Sequence, residues 1–168
     1  MSKSNQREEL NQLFEQLQVA ESQTSIDDLQ KQIWEIWMQT GSPDINQLMK
    51  YGSEQLAMEA YNDAIKIFTE VVEYFPDYAE GWNKRATAYY LRGSFKASIW
   101  DICRTLALEP RHFGAISGLA TIYMELGAEK MALATLQELK GIVPHQKGLT
   151  QQIESLCQKL GIKNTPGS

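Results

Sequence analysis

Few side chains in this sequence could do chemistry of their own. There are two histidines, His112 and His145, and two cysteines, Cys103 and Cys157. Nucleophilic catalysis needs a Ser or Cys beside a base, with a third group to hold that base. Neither histidine stands near an obvious nucleophile, and both fall where the chain turns between helical stretches. Structural zinc needs closely spaced Cys and His, yet there is no C-x-x-C and no H-E-x-x-H. No glycine-rich loop is present to cradle a phosphate, and the acidic residues are spread along helix surfaces. The sequence therefore predicts no enzyme, no cofactor and no metal site. The one chemically conspicuous residue is Arg85, which interrupts the apolar stripe of its helix.

The elements that place these residues form an internal repeat. Pro76, Pro110 and Pro144 are spaced by 34 residues, since 110 − 76 and 144 − 110 are equal. Gly52, Ala86 and Ala120 keep the same step, as do Ala64, Ser98 and Ala132. So do the large apolar series Phe68, Ile102, Leu136 and Leu48, Trp82, Ile116. Each unit reads as helix, turn, helix. In the second, Trp82, Ala86, Tyr89 and Tyr90 recur at helical spacing, Arg92-Gly93-Ser94 makes the turn, and Phe95, Ile99, Ile102 and Leu106 form the next stripe. Pro110 cannot continue a helix and disfavours one at Glu109, so it separates units. The small residues let the paired helices approach closely. The predicted fold class is all-α.

Bulk properties narrow the function. A chain of 168 residues that is 43% hydrophobic can bury a core. A net charge of −5 argues against nucleic acid, whose phosphates call for clustered Lys and Arg. No run approaches the roughly 18 apolar residues of a membrane span, and "MSKSNQREEL" lacks the apolar core of a signal peptide. The expectation is a soluble, cytoplasmic protein without membrane insertion, with a periplasmic or organellar location as the alternative if a leader has been removed.

A 34-residue helix-turn-helix carrying Trp82, Ala86, Tyr89, Gly93, Phe95 and Pro110 resembles the tetratricopeptide repeat. The resemblance implies an α-α superhelix with full repeats at residues 45–78, 79–112 and 113–146. Residues 1–44 read as an N-terminal hairpin, a cap or a degenerate repeat in which Trp34 and Trp37 stand one step before Phe68 and Val71. Residues 147–161 read as a capping helix and 162–168 as a tail. The chain is similar to small three-repeat proteins of bacterial type. Departures from the family pattern are Arg85 for a usual Leu, Ser98 for Ala and Gln55 for Tyr.

Stacked repeats of this family present a concave groove lined by their first helices, so the resemblance implies a protein or peptide partner there. Repeat register places Met49, Ser53 and Leu56 in that groove from the first unit, and Asn83, Lys84, Thr87 and Tyr90 from the second. Ser117, Thr121 and Met124 come from the third. Glu80 falls on the same face, with Arg111 and His112 at its edge. A solvated scaffold face is the plain alternative for each residue alone. Gly114 and Gly118 would face the groove too, where bare backbone allows close approach by a partner or by the preceding unit. Some family members grip the C-terminal carboxylate of heat-shock chaperones with a Lys/Asn/Arg clamp. The matching positions here are Met49, Ser53, Lys84, Gly114 and Gly118, of which only Lys84 is cationic, so that role is not expected. Arg85 and Asp101 fall on antiparallel helices of one unit and are predicted to form a structural ion pair. Trp100 falls on the outward face of its helix as a possible second interface, which leaves self-association as the rival reading. Monomer or weak homo-oligomer is the expected state.

Overall fold

The computed structural model describes residues 3–162, so the expected tail lies outside the described residues beyond Ile162. Among the described residues the regular elements are all helices. They are α1 (Lys3–Val19), α2 (Gln23–Trp37), α3 (Pro43–Ala57), α4 (Tyr61–Tyr74), α5 (Ala79–Leu91), α6 (Phe95–Leu108), α7 (Phe113–Glu125), α8 (Glu129–Ile142) and α9 (Leu149–Leu160). The chain divides into two compact units: Trp37–Gly118, and Met1–Ile36 with Leu119–Ser168.

In the unit Trp37–Gly118, α3 starts where its sequence says it should. Ser42 is extended and its side chain accepts the N–H of Ile45, with Pro43 at the first helical position. Ile45, Met49, Ala64, Ile65, Phe68, Val71 and Ala88 form the core. Glycine lets the helices close on it. A Cβ at Gly52 would stand 2.4 Å from the Phe68 ring, and one at Gly81 would stand 2.9 Å from Val71. The α5–α6 pair carries polar contacts on the same seam. The buried Ser98 hydroxyl donates to the Ala86 carbonyl across the pair at 2.8 Å, which satisfies a group that the usual Ala would not bring.

The turn inside each repeat ends its first helix with a left-handed residue. Gly93 (φ 81°) and Gly127 (φ 68°) hold that position in two repeats, and Glu59 (φ 59°) holds it in the other. In all three the next residue closes the turn onto the helix, Ala60 N–H to Gln55 O, Ser94 N–H to Tyr89 O and Ala128 N–H to Tyr123 O.

In the second unit, α1 buries Leu10, Leu13, Phe14 and Leu17, and α2 buries Ile26, Leu29, Ile33 and Ile36. The opposite faces are polar, as amphipathic spacing requires. This hairpin is tied to the C-terminal helices. The Gln18 amide donates to the Gly141 and Ile142 carbonyls at 2.8 and 3.0 Å, satisfying the end of α8. Gln30 donates to Gln146, and Lys147 N–H donates to Gln23 Oε1. Helix α9 lays Leu149, Ile153, Leu156 and Cys157 inward, and its Lys159 pairs with Glu129 of α8. The 34-residue step back from Phe68 to Trp34 does not carry burial with it, for Phe68 is fully buried and Trp34 is 38% exposed.

Candidate partner-binding site

The expected groove residues fall into three groups. Met49 is corrected outright: it is 1% exposed and belongs to the core with Phe68, so it is no contact residue. Leu56 is half-buried against the same core. Ser53, Thr87, Tyr90 and Ser117 remain at the surface of the unit, Thr87 and Ser117 exposed and the other two partly buried. Ser53 and Thr87 turn their hydroxyls onto their own helices, to Met49 O at 2.8 Å and Asn83 O at 3.0 Å. Tyr90 stacks on Phe95, with ring centroids 5.9 Å apart. In the other unit Thr121 is exposed and Met124 is 45% exposed. Leu56, Tyr90 and Met124 share one repeat position, so each repeat sets one large apolar group there.

Asn83 and Lys84 form the third group, held by a hub that register alone did not reveal. Glu80 was expected on the groove face and His112 at its edge; both are buried. Asn83 Nδ2 donates to Glu80 Oε1 and Oε2 at 3.2 and 3.3 Å, and Lys84 Nζ lies 3.9 Å from Oε1. His112 Nε2 stands 2.8 Å from Oε2, while its Nδ1 accepts the Ala115 N–H and caps α7. Trp37 stacks on the His112 ring. Arg111 pairs with Glu109. The repeat-sequence signal for this hub was the Glu80 to Gly114 and Asn46 mismatch at one register position, which marks Glu80 as particular to its repeat.

Three glycines of the first helices contrast with one another. Gly52 is filled by Phe68. A Cβ at Gly118 would meet only Ile102, at 3.9 Å, and one at Gly114 only the His112 ring, at 3.5 Å. Packing requires the first glycine and leaves ordinary room at the other two.

Arg85 lies inside its repeat. Its Nε and Nη2 donate to Asp101 Oδ2 and Oδ1 at 2.7 and 2.8 Å, and Nη1 reaches Thr69 at 3.2 Å. The guanidinium also lies over Trp82, 4.9 Å from the ring centroid. Burial pushes the Asp101 carboxyl above its ordinary range, and Arg85 offsets only part of that. On the guanidinium burial acts downward, but the Asp101 hydrogen bonds and charge outweigh it and hold the proton more tightly than usual. Trp100 is 57% exposed and meets Trp82 edge-on at 5.6 Å.

Paired antiparallel helices, repeated in sequence with small residues at the crossings and a left-handed turn position, define a helical-repeat protein. The curated relatives say which. A TPR repeat-containing protein of Rhizobium etli is 32% identical over 162 residues, 96% of this chain and 79% of that one. The chain belongs to the tetratricopeptide repeat proteins. The WD and tetratricopeptide repeats protein 1 of Mus musculus is 28% identical over 122 residues, 71% of this chain but 17% of its own length. No family model matches the chain. Among solved structures, the first TPR of Spaghetti (RPAP3) bound to an HSP90 peptide superposes with a TM-score of 0.64 at 20% identity, covering 70% of this chain and 93% of that one. The Yersinia enterocolitica type III secretion chaperone SycD, in complex with a peptide of the translocator YopD, gives 0.66 at 14% identity, covering 73% and 99%. These likenesses are of fold.

Proposed function

We propose that this protein is a non-catalytic interaction module that holds an extended peptide or a partner helix on the face formed by the first helices of its repeats. The observation that carries the reading is the room at Gly114 and Gly118. Each glycine in a helix costs roughly 1 kcal/mol relative to Ala, and neither is needed to fit a neighbouring side chain. Bare backbone beside the exposed Ser117 gives a partner a close approach, and Thr87 offers it an accepting oxygen and Tyr90 a ring edge. Two structural neighbours hold bound peptides, one from HSP90 and one from YopD, which supports the same use of the fold.

The occupant differs from an acidic chain terminus. Of the positions that would clamp a carboxylate, Met49 is buried, Ser53 bonds its own helix, Gly114 and Gly118 have no side chain, and Lys84 stands beside Glu80. A partner with small or apolar side chains suits the face better. The test is a peptide-display selection on the full chain, followed by Thr87→Arg and Ser117→Arg. Selected peptides should lose binding to both variants. Binding that survives in variants of unchanged circular dichroism would remove this face from consideration.

The exposed Trp100 favours a second reading, self-association through the outer face of α6. Light scattering at tens of micromolar decides it: a monomer sinks self-assembly, and a dimer abolished by Trp100→Ala would establish it. No helix of the described residues is long and apolar enough to cross a membrane. The exposed, unbridged Cys103 supports a reducing compartment such as the cytoplasm.

A further inference from the structure

Glu80 sits in the first turn of α5 with its carboxylate out of water, where an ionised group needs donors on both oxygens. It has them from two directions. From its own helix come Asn83, which reaches both oxygens, and Lys84 beside Oε1. From the turn ahead of α7 comes His112, whose Nε2 approaches Oε2 at 2.8 Å. The roles of the two ring nitrogens follow from geometry. Nδ1 accepts the Ala115 N–H at 3.1 Å, so it carries no proton and Nε2 is the donor.

The ring keeps this orientation because its face is covered. The Trp37 indole lies nearly parallel to it, with centroids 4.3 Å apart and planes at 12°, and Phe113 packs on Trp37 at 5.1 Å. The next residue is tied down as well, for the Met38 carbonyl receives the Tyr78 hydroxyl at 3.3 Å. Trp37 and Met38 thus contact the turns that lead into α7 and α5.

We infer that Trp37 is a positioning residue for the proposed binding face: it holds the His112 ring in the one orientation that loads Glu80, and so fixes where Asn83 and Lys84 present themselves. The inference rests on the reading of that face as the partner site. A ring flip of His112 puts Cδ2 where Nδ1 stood and Cε1 where Nε2 stood, which breaks the cap on α7 and the bond to Glu80 together. Glu80 then leans harder on Asn83 and Lys84, because members of a buried polar network are not independent. Whatever displaces the 37–38 segment is read out at Asn83 and Lys84, on the other side of a buried carboxylate.

The test is nuclear magnetic resonance on the isotope-labelled full chain at neutral pH. The wild type should show one His112 tautomer, protonated at Nε2. Trp37→Ala should lose that single tautomer and shift both the Ala115 amide and the Asn83 side-chain amide. Trp37→Phe, which keeps a flat ring, should restore all three, and Trp34→Ala should leave them untouched. Unchanged His112 and Asn83 signals in a folded Trp37→Ala protein overturn the inference. Should that variant fail to fold, Trp37→Leu keeps the bulk without the flat ring, and the same loss is expected of it. A second arm follows a display-selected peptide that Ser117→Arg blocks; Trp37→Ala should weaken it about tenfold. If the signals move and that affinity does not, Trp37 positions nothing the partner uses and the inference falls. If no peptide is blocked by Ser117→Arg, the binding-face reading falls and takes the inference with it, while the resonance signals still report whether the hub exists.

Discussion

One substitution made at four glycines should change stability in opposite directions. Replacing a mid-helix Gly by Ala gains roughly 1 kcal/mol from backbone entropy wherever the methyl group fits. At Gly52 it does not: three Phe68 ring atoms would lie 2.4, 2.6 and 2.9 Å from the new Cβ. Phe68 is fully buried, so the ring cannot swing out into solvent to make room. Overpacking of this kind costs about 1–3 kcal/mol, occasionally more, so Gly52→Ala should be destabilising despite the better helix propensity. Gly81→Ala should behave alike, since its Cβ would stand 2.9 Å from Val71, itself fully buried. At Gly118, with only Ile102 at 3.9 Å, the gain should appear nearly whole. At Gly114, in the first turn of α7, it should be smaller. In a chain of this length 1 kcal/mol corresponds to about 2–4 °C in Tm. Thermal unfolding followed by circular dichroism should put Gly118→Ala above the wild type and Gly52→Ala and Gly81→Ala below it. A fall at Gly118, or a rise at Gly52, would refute the packing argument. The same proteins serve the functional reading, because Gly118→Ala should gain stability while losing display-selected peptides.

Three further outcomes are expected. Arg85→Ala leaves the buried Asp101 carboxylate without its partner and should cost about 3–5 kcal/mol; an unmoved melting curve together with lost partner binding would make Arg85 a site rather than a brace. Glu59→Gly relieves a left-handed residue at the position where the next repeats have glycine, and should stabilise by about 1 kcal/mol in urea unfolding; a loss would mean the Glu59 side chain makes up for its strained backbone. Burial, with the Glu80 charge adding to it, pushes the Tyr78 hydroxyl well above its ordinary value. The folded state then holds that proton more tightly than the unfolded chain. This stability is present in full below about pH 10 and is lost as pH rises toward the folded value. In an alkaline titration read by tyrosinate absorbance, one tyrosine should ionise only as the protein unfolds, and Tyr78→Phe should raise the alkaline midpoint.

Repeat architecture was legible because it is written in residues with one possible use. Prolines mark the junctions, and small residues mark the crossings where helices close, as Gly52 against Phe68 shows. Arg85 and Asp101, 16 residues apart on antiparallel helices, meet in the structure. Register was less able to separate face from core. Met49 and Ser53 are one helical turn apart on α3, yet only Met49 reaches the Phe68 core, a distinction of a few tens of degrees about the helix axis. The Glu80 hub was legible only in part: Glu80 stands out against Asn46 and Gly114 at its repeat position, but register did not bring its partners together. Its partners come from positions 37, 83, 84 and 112, and nothing in the local pattern around Trp37 says that its ring will lie on His112.

The Gln18 amide that closes the end of α8 spans a sequence separation of 123 residues, and the Gln23 contact with Lys147 spans 124. The unit containing them is therefore made from both flanks of the chain, whereas residues 37–118 are contiguous. On a ribosome the contiguous unit is complete while α8 and α9 are still unmade, so it can fold first and the N-terminal hairpin must wait. During that interval the apolar stripe of Leu10, Phe14 and Leu17 has no finished surface to cover it. Slow synthesis through residues 119–160, or truncation before α9, would lengthen the exposure and make aggregation through α1 the characteristic failure of this protein.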